Sequence, residues 1–208
     1  MTPTSEAASV FEHNLELVEN AAYHESGHIV VAVVLGLRLQ GYGIHIDKAG
    51  KGVSFYQFCD PQIDVSGSHK SNYVLSKGEH SIKSFFAGLI AQKEFCRREK
   101  NTPCSNASAA DDEDLIQQLV RSLYCSQTPE WREEKSNQLE VLAGDLVGKH
   151  WEAIKAVAKA LLATDWLTPN QTSAGAKWSP AEEKRLTDAQ IRNILQPFGI
   201  CALPQFAD

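Results

Sequence analysis

The sequence lacks the features of a membrane-spanning or secreted protein. Its longest apolar run, residues 29–37, is far too short to cross a bilayer as a helix. The first residues contain neither the basic stretch nor the apolar stretch of a secretory signal. We therefore expect a cytoplasmic protein that does not insert into a membrane.

Paired cysteines and excess positive charge are also missing. The five cysteines form no C-x-x-C pair, and their odd number leaves at least one unpaired, which favours reduced thiols over a cysteine-ligated zinc site. Twenty Lys and Arg residues stand against 26 Asp and Glu, so the formal net charge is −6. A negative field repels polyanions, and we do not expect nucleic acid as a partner.

The hydrophobic and turn patterns of the sequence predict one domain of mainly α class with a small β-hairpin or sheet (α+β). We interpret residues 1–13 as a flexible N-terminal tail and residues 14–208 as the single domain. Residues 14–35 lack proline and stop at Gly36, which predicts a long helix. Two β-rich runs then flank the turn sequence KAGKG and predict a hairpin.

The middle of the chain alternates between polar and helical patterns. Residues 60–78 are polar and punctuated by turn formers, which predicts a surface loop. Apolar residues then recur at helical spacing over residues 79–99 and again over residues 111–125. We expect a helix in each of these two segments.

The C-terminal half is helical by pattern. Pro129 suits the first position of a helix. The pattern over residues 131–163 is long enough for a bend near Gly144 or Gly148, or for two separate helices. Two capping-box sequences predict short helices near the C-terminus, at residues 179–182 and 187–190.

The motif H-E-x-x-H at residues 24–28 is the candidate metal-binding and catalytic site. Within a helix, His24 and His28 lie one turn apart on the same face and can bind one metal ion. Glu25 is rotated away, so it can reach a metal-bound water and act as its general base. Zinc lowers the pKa of bound water to about 7, which suits amide hydrolysis. Gly27 predicts close approach of another segment, since glycine within a helix is otherwise costly.

A third metal ligand has to come from another segment, because the motif lacks the extension that supplies a third histidine. Four acidic residues open the helix at residues 111–125. By helical phase Asp112 faces the apolar stripe, whereas Asp111 and Asp114 do not, although both remain alternatives. An inward carboxylate requires a metal or a strong partner, which favours Asp112.

Several segments together resemble the FtsH-type zinc peptidases over about residues 14–195. Residues 21–36 resemble the zinc-binding helix of that family, and the hairpin segment is similar to the one that follows it. Gly88 matches the glycine of the family's G-R-A-A-E-E helix, which Gln92 departs from. Residues 105–119 resemble the segment that supplies the aspartate ligand. The resemblance implies an FtsH peptidase-like helical domain whose cofactor is Zn²⁺.

Full-length members of that family also carry transmembrane helices and an AAA ATPase domain. This sequence contains no G-x-x-x-x-G-K-[ST] motif, so we do not expect ATP hydrolysis. The prediction is a stand-alone metalloendopeptidase that cleaves peptides or unfolded proteins, with a separate ATPase and a homo-oligomer both possible. The alternative is a catalytically weak or inactive zinc-binding module that binds a protein partner.

Overall fold

A computed structural model describes residues 5–57, 71–101, 104, 109–167 and 182–201. The described residues form six α-helices and one three-stranded antiparallel sheet, which confirms a mainly helical α+β architecture. No helix in these residues has both the length and the apolar character needed to cross a membrane. In chain order the elements are α1 (Ser5–Val34), β1 (Arg38–Asp47), β2 (Gly52–Gln57), α2 (Asn72–Phe95), α3 (Ala109–Leu123), α4 (Pro129–Lys149), α5 (Trp151–Ala163), β3 (Glu183–Leu186) and α6 (Asp188–Leu195).

Helix α1 is longer than its sequence pattern predicts. It begins at Ser5, within the segment that we interpreted as a tail, whereas residues 1–4 lie outside the described residues. Its end agrees with the prediction, because Val34 is the last helical residue and Gly36 follows with a positive φ of 72°. The division into a tail and one domain stays a prediction.

The predicted hairpin is confirmed. Strands β1 and β2 pair antiparallel, and a carboxylate oxygen of Asp47 accepts hydrogen bonds from the backbone N–H groups of Ala49 and Lys51 in the turn between them. Gly50 supplies the positive φ that this turn requires, at 75°.

Strand β3 is a correction to the predicted C-terminal helices. The first capping box predicted a helix at about residues 179–182, but Glu183–Leu186 is a strand that pairs with β1, and residues 179–181 lie outside the described residues. Pairing with β3 satisfies the backbone hydrogen-bonding groups on the second edge of β1 and buries Leu186. A capping-box pattern depends on neighbouring residues alone, so it could not indicate this pairing. The second capping box is confirmed at the start of α6, where Thr187 and Gln190 cap each other.

Helix α2 also begins earlier than predicted. The Ser71 hydroxyl caps it by accepting from the Val74 N–H, so the last part of the predicted loop at residues 60–78 is helical. Residues 60–70 lie outside the described residues. A short π-helical turn, Cys96–Lys100, continues α2 and ends at Asn101, which has a positive φ of 53°.

The long C-terminal helical pattern forms two helices. Thr128 caps α4 and Pro129 occupies its first turn, as predicted. The chain leaves the helical conformation at His150, where φ is −109° and ψ is 20°, and α5 starts at the next residue. Of the two alternatives, separate helices are therefore present, with the break two residues after Gly148.

Helix α1 lies at the centre of the fold, between α2, α5 and the sheet. Its contact with α2 is close at Gly27, where an added Cβ would lie 2.5 Å from the Ala87 carbonyl oxygen and 2.6 Å from the Ala91 Cβ. This close approach is the one that the glycine predicted. It brings the histidine-bearing face of α1 against α2, while α3 packs on the other part of α2.

Candidate metal centre

His24 and His28 lie on the buried face of α1. Their exposed fractions are 3% and 4%. The two Nε2 atoms approach to 2.9 Å, and the rings are nearly perpendicular, with an interplanar angle of 84°. The helix therefore aims one nitrogen of each imidazole at the same point.

Asp112, at the start of α3, completes this group. Its Oδ2 atom lies 2.8 Å from His24 Nε2 and 3.1 Å from His28 Nε2. Asp112 is buried, whereas Asp111 and Asp114 are exposed, so the inward orientation predicted from helical phase is confirmed. The spacing of apolar residues in this helix also predicts an inward Leu115, but Leu115 is 41% exposed and lies outside the buried stripe. A metal-ligand role for Asp112 stays a prediction.

Helix α2 holds the far side of both imidazoles. His24 Nδ1 lies 3.1 Å from the side-chain oxygen of Gln92, and His28 Nδ1 lies 2.8 Å from the carbonyl oxygen of Ser84. Both oxygens are acceptors only, so each Nδ1 donates its proton outward. In the neutral imidazoles the two Nε2 atoms then carry unprotonated lone pairs that face each other and Asp112.

This donor set fits a cation. The Asp112 Oδ2 atom is buried and has no hydrogen-bond donor, although both Nε2 atoms are close, so neither contact is a hydrogen bond of good geometry. Three electron-rich atoms at such short separations repel one another unless positive charge lies among them. Two imidazole nitrogens and one carboxylate oxygen form a typical catalytic zinc set. His24, His28 and Asp112 could therefore hold zinc.

The pKa values of His28 and Asp112 in the metal-free protein also indicate that positive charge is favoured between them. Burial opposes protonation of His28, but the adjacent Asp112 carboxylate, assisted by the Glu25 charge, raises the pKa of His28 to about 9. Burial would raise the pKa of the Asp112 carboxyl, yet His28 and His24 hold that pKa well below its usual range. At neutral pH a proton on His28 thus supplies the charge that a metal would bring.

Glu25 lies beside the two imidazoles and is held by β2. A carboxylate oxygen lies within 4.8 Å of the histidine ligand nitrogens, and the residue is only 5% exposed. The Ser54 hydroxyl donates to the Glu25 carboxylate and lies 3.2 Å from its carbonyl oxygen. An added Cβ at Gly52 would lie 2.5 Å from Glu25 Oε1, so this strand position has no room for a side chain.

The two acids differ in what they can do. Asp112 contacts both Nε2 atoms directly, which suits a ligand. Glu25 is farther away and one of its oxygens is already engaged by Ser54, which suits a base that acts on a neighbouring water.

A glycine on α2 makes room for the second imidazole. An added Cβ at Gly88 would lie 2.3 Å from His28 Cε1 and 2.4 Å from His28 Nε2, well inside van der Waals contact. The site therefore requires glycine at this position of α2.

Sequence reasoning assigned no site role to the residues that support the histidines and Glu25. On α2 these residues recur at a spacing of four, which forms a small and polar stripe on an otherwise apolar helix face: Ser84, Gly88 and Gln92. The spacing of these three residues in the sequence could have identified them as candidates for contact with the histidines. No comparable signal marked Gly52 and Ser54, because their role depends on how β2 lies across α1.

Comparison with known proteins adds no identification: no protein-family model matches this chain, and no curated protein matches it.

Proposed function

We propose that this chain is a zinc-dependent metallopeptidase of the FtsH type that hydrolyses peptide bonds. The observation that carries the proposal is the convergence of two imidazole nitrogens and one carboxylate oxygen within 2.8–3.1 Å, with a second carboxylate nearby. His24, His28 and Asp112 would bind the ion, and Glu25 would be the catalytic residue. The short contacts support the ligand set, and the sequence resemblance supports the family.

The residues divide the chemistry between them. Bound zinc would act as a Lewis acid and bring the pKa of water to about 7. Glu25 would take a proton from the attacking water and deliver it to the amine of the leaving peptide. Ser54 would keep the Glu25 carboxylate in one orientation, and Gln92 and Ser84 would keep the imidazoles in the Nδ1–H tautomer.

The substrate and the cellular setting belong to the same proposal. Peptides or unfolded segments are the expected substrates, because the sequence has no P-loop motif that could drive unfolding. A separate ATPase could supply that work, and a homo-oligomer could enclose the site. We place the protein in the cytoplasm.

The test is Glu25→Gln, with the exposed neighbour of Asp112, Glu113→Gln, as the matched control. Each substitution removes one negative charge, but only Glu25 lies beside the histidines. Metal analysis should find one zinc per chain in both variants. Cleavage of casein should fall by about 10²-fold or more in Glu25→Gln and stay at the wild-type rate in the control. Full activity and full zinc occupancy in Glu25→Gln would refute the proposed mechanism.

A second candidate is a zinc-binding module that binds a protein partner and cleaves weakly or not at all. The missing P-loop motif and the departure at Gln92 from the family's G-R-A-A-E-E helix favour it, because both differ from the full-length peptidases that the sequence resembles. Full zinc occupancy with no chelator-sensitive turnover of casein would support this candidate over the peptidase.

A further inference from the structure

No further inference is drawn: the strongest candidate, the cavity of about 550 Å³ between the N-terminal half of α1, the turn between β1 and β2 and the end of α5, carries none, because its two lysines, Lys48 and Lys184, already contact Glu182 and the carbonyl oxygens of Leu162 and Thr164, and nothing in the described part of the structure shows what occupies it.

Discussion

Gly88→Ala should damage the candidate metal centre without touching any ligand. The new methyl carbon would lie 2.3 Å from His28 Cε1, whereas carbon atoms in contact normally stay about 3.5–4.0 Å apart. The imidazole would have to move by roughly 1 Å, measured against that contact distance. His28 cannot move this far and keep both its 2.8 Å contact with Ser84 and its position beside Asp112.

The size of the effect follows from two opposing contributions. Alanine in place of glycine favours the helix by up to about 1 kcal/mol. Overpacking of a buried contact costs about 1–3 kcal/mol, and loss of imidazole orientation weakens metal affinity about 10–100-fold. We expect a net fall in the free energy of unfolding together with the loss of zinc affinity.

Gly144→Ala on α4 is the matched control. It adds the same methyl group to a helix, but the nearest atom, Ile90 Cδ1, would be 4.0 Å from the new carbon. This variant should gain about 0.5–1 kcal/mol and bind zinc as the wild type does. Urea denaturation of the metal-free proteins gives the stabilities, and competition with a chromophoric chelator gives the zinc affinities.

One result would refute this reasoning about Gly88. If Gly88→Ala binds zinc within twofold of wild type and is as stable as Gly144→Ala, the His28 ring does not occupy the position described here.

Four further predictions concern protons and supporting residues. Because the pKa of His28 is raised to about 9, zinc binding at pH 7 should displace about one proton, measured by titration calorimetry in two buffers of different ionisation enthalpy. That pKa lies above the unfolded value of 6.5, so protonation of His28 stabilises the folded metal-free protein by roughly 3 kcal/mol below pH 6.5. This stabilisation should be lost as the pH rises through 9, which urea denaturation would detect. Gln92→Ala should weaken zinc binding about 10–100-fold by removing the acceptor for His24, whereas Gln92→Glu should retain it. Ser54→Ala should lower kcat for casein cleavage and leave zinc affinity unchanged, because the two hydrogen bonds of the Ser54 hydroxyl described above both go to Glu25 and not to a proposed metal ligand.

Each of these has a contrary outcome. Equal stability of the metal-free protein at pH 6.5 and above pH 9 would mean that the pKa of His28 is not raised in the folded protein. Absence of buffer-dependent heat would mean that His28 is already neutral at pH 7. Equal zinc affinity in Gln92→Ala and Gln92→Glu would mean that the side-chain oxygen of Gln92 does not support the metal centre. Loss of zinc from Ser54→Ala would mean that β2 stabilises the whole centre and does more than orient Glu25.

Local features of the fold were predictable because each depends on nearby residues. The hairpin follows from the KAGKG turn, and the start of α6 from the Thr187 capping box. The break between α4 and α5 was left open, because neither glycine forces a bend and the stop at His150 has no local sequence signal. Strand β3 was missed, since pairing with a strand distant in the chain outweighs the local preference.

The sequence by itself determined that His24 and His28 share one face of a helix, because four residues make about one turn. By helical phase it favoured Asp112 as the inward acid of its cluster, with Asp111 and Asp114 left open until the structure showed both of them exposed. Only the tertiary structure decided that α3 brings Asp112 to those imidazoles, that α2 supplies Gln92 and the space at Gly88, and that β2 holds Glu25. Periodicity specifies which way a side chain points from its own helix. Which atoms it meets depends on how the helices and the sheet pack.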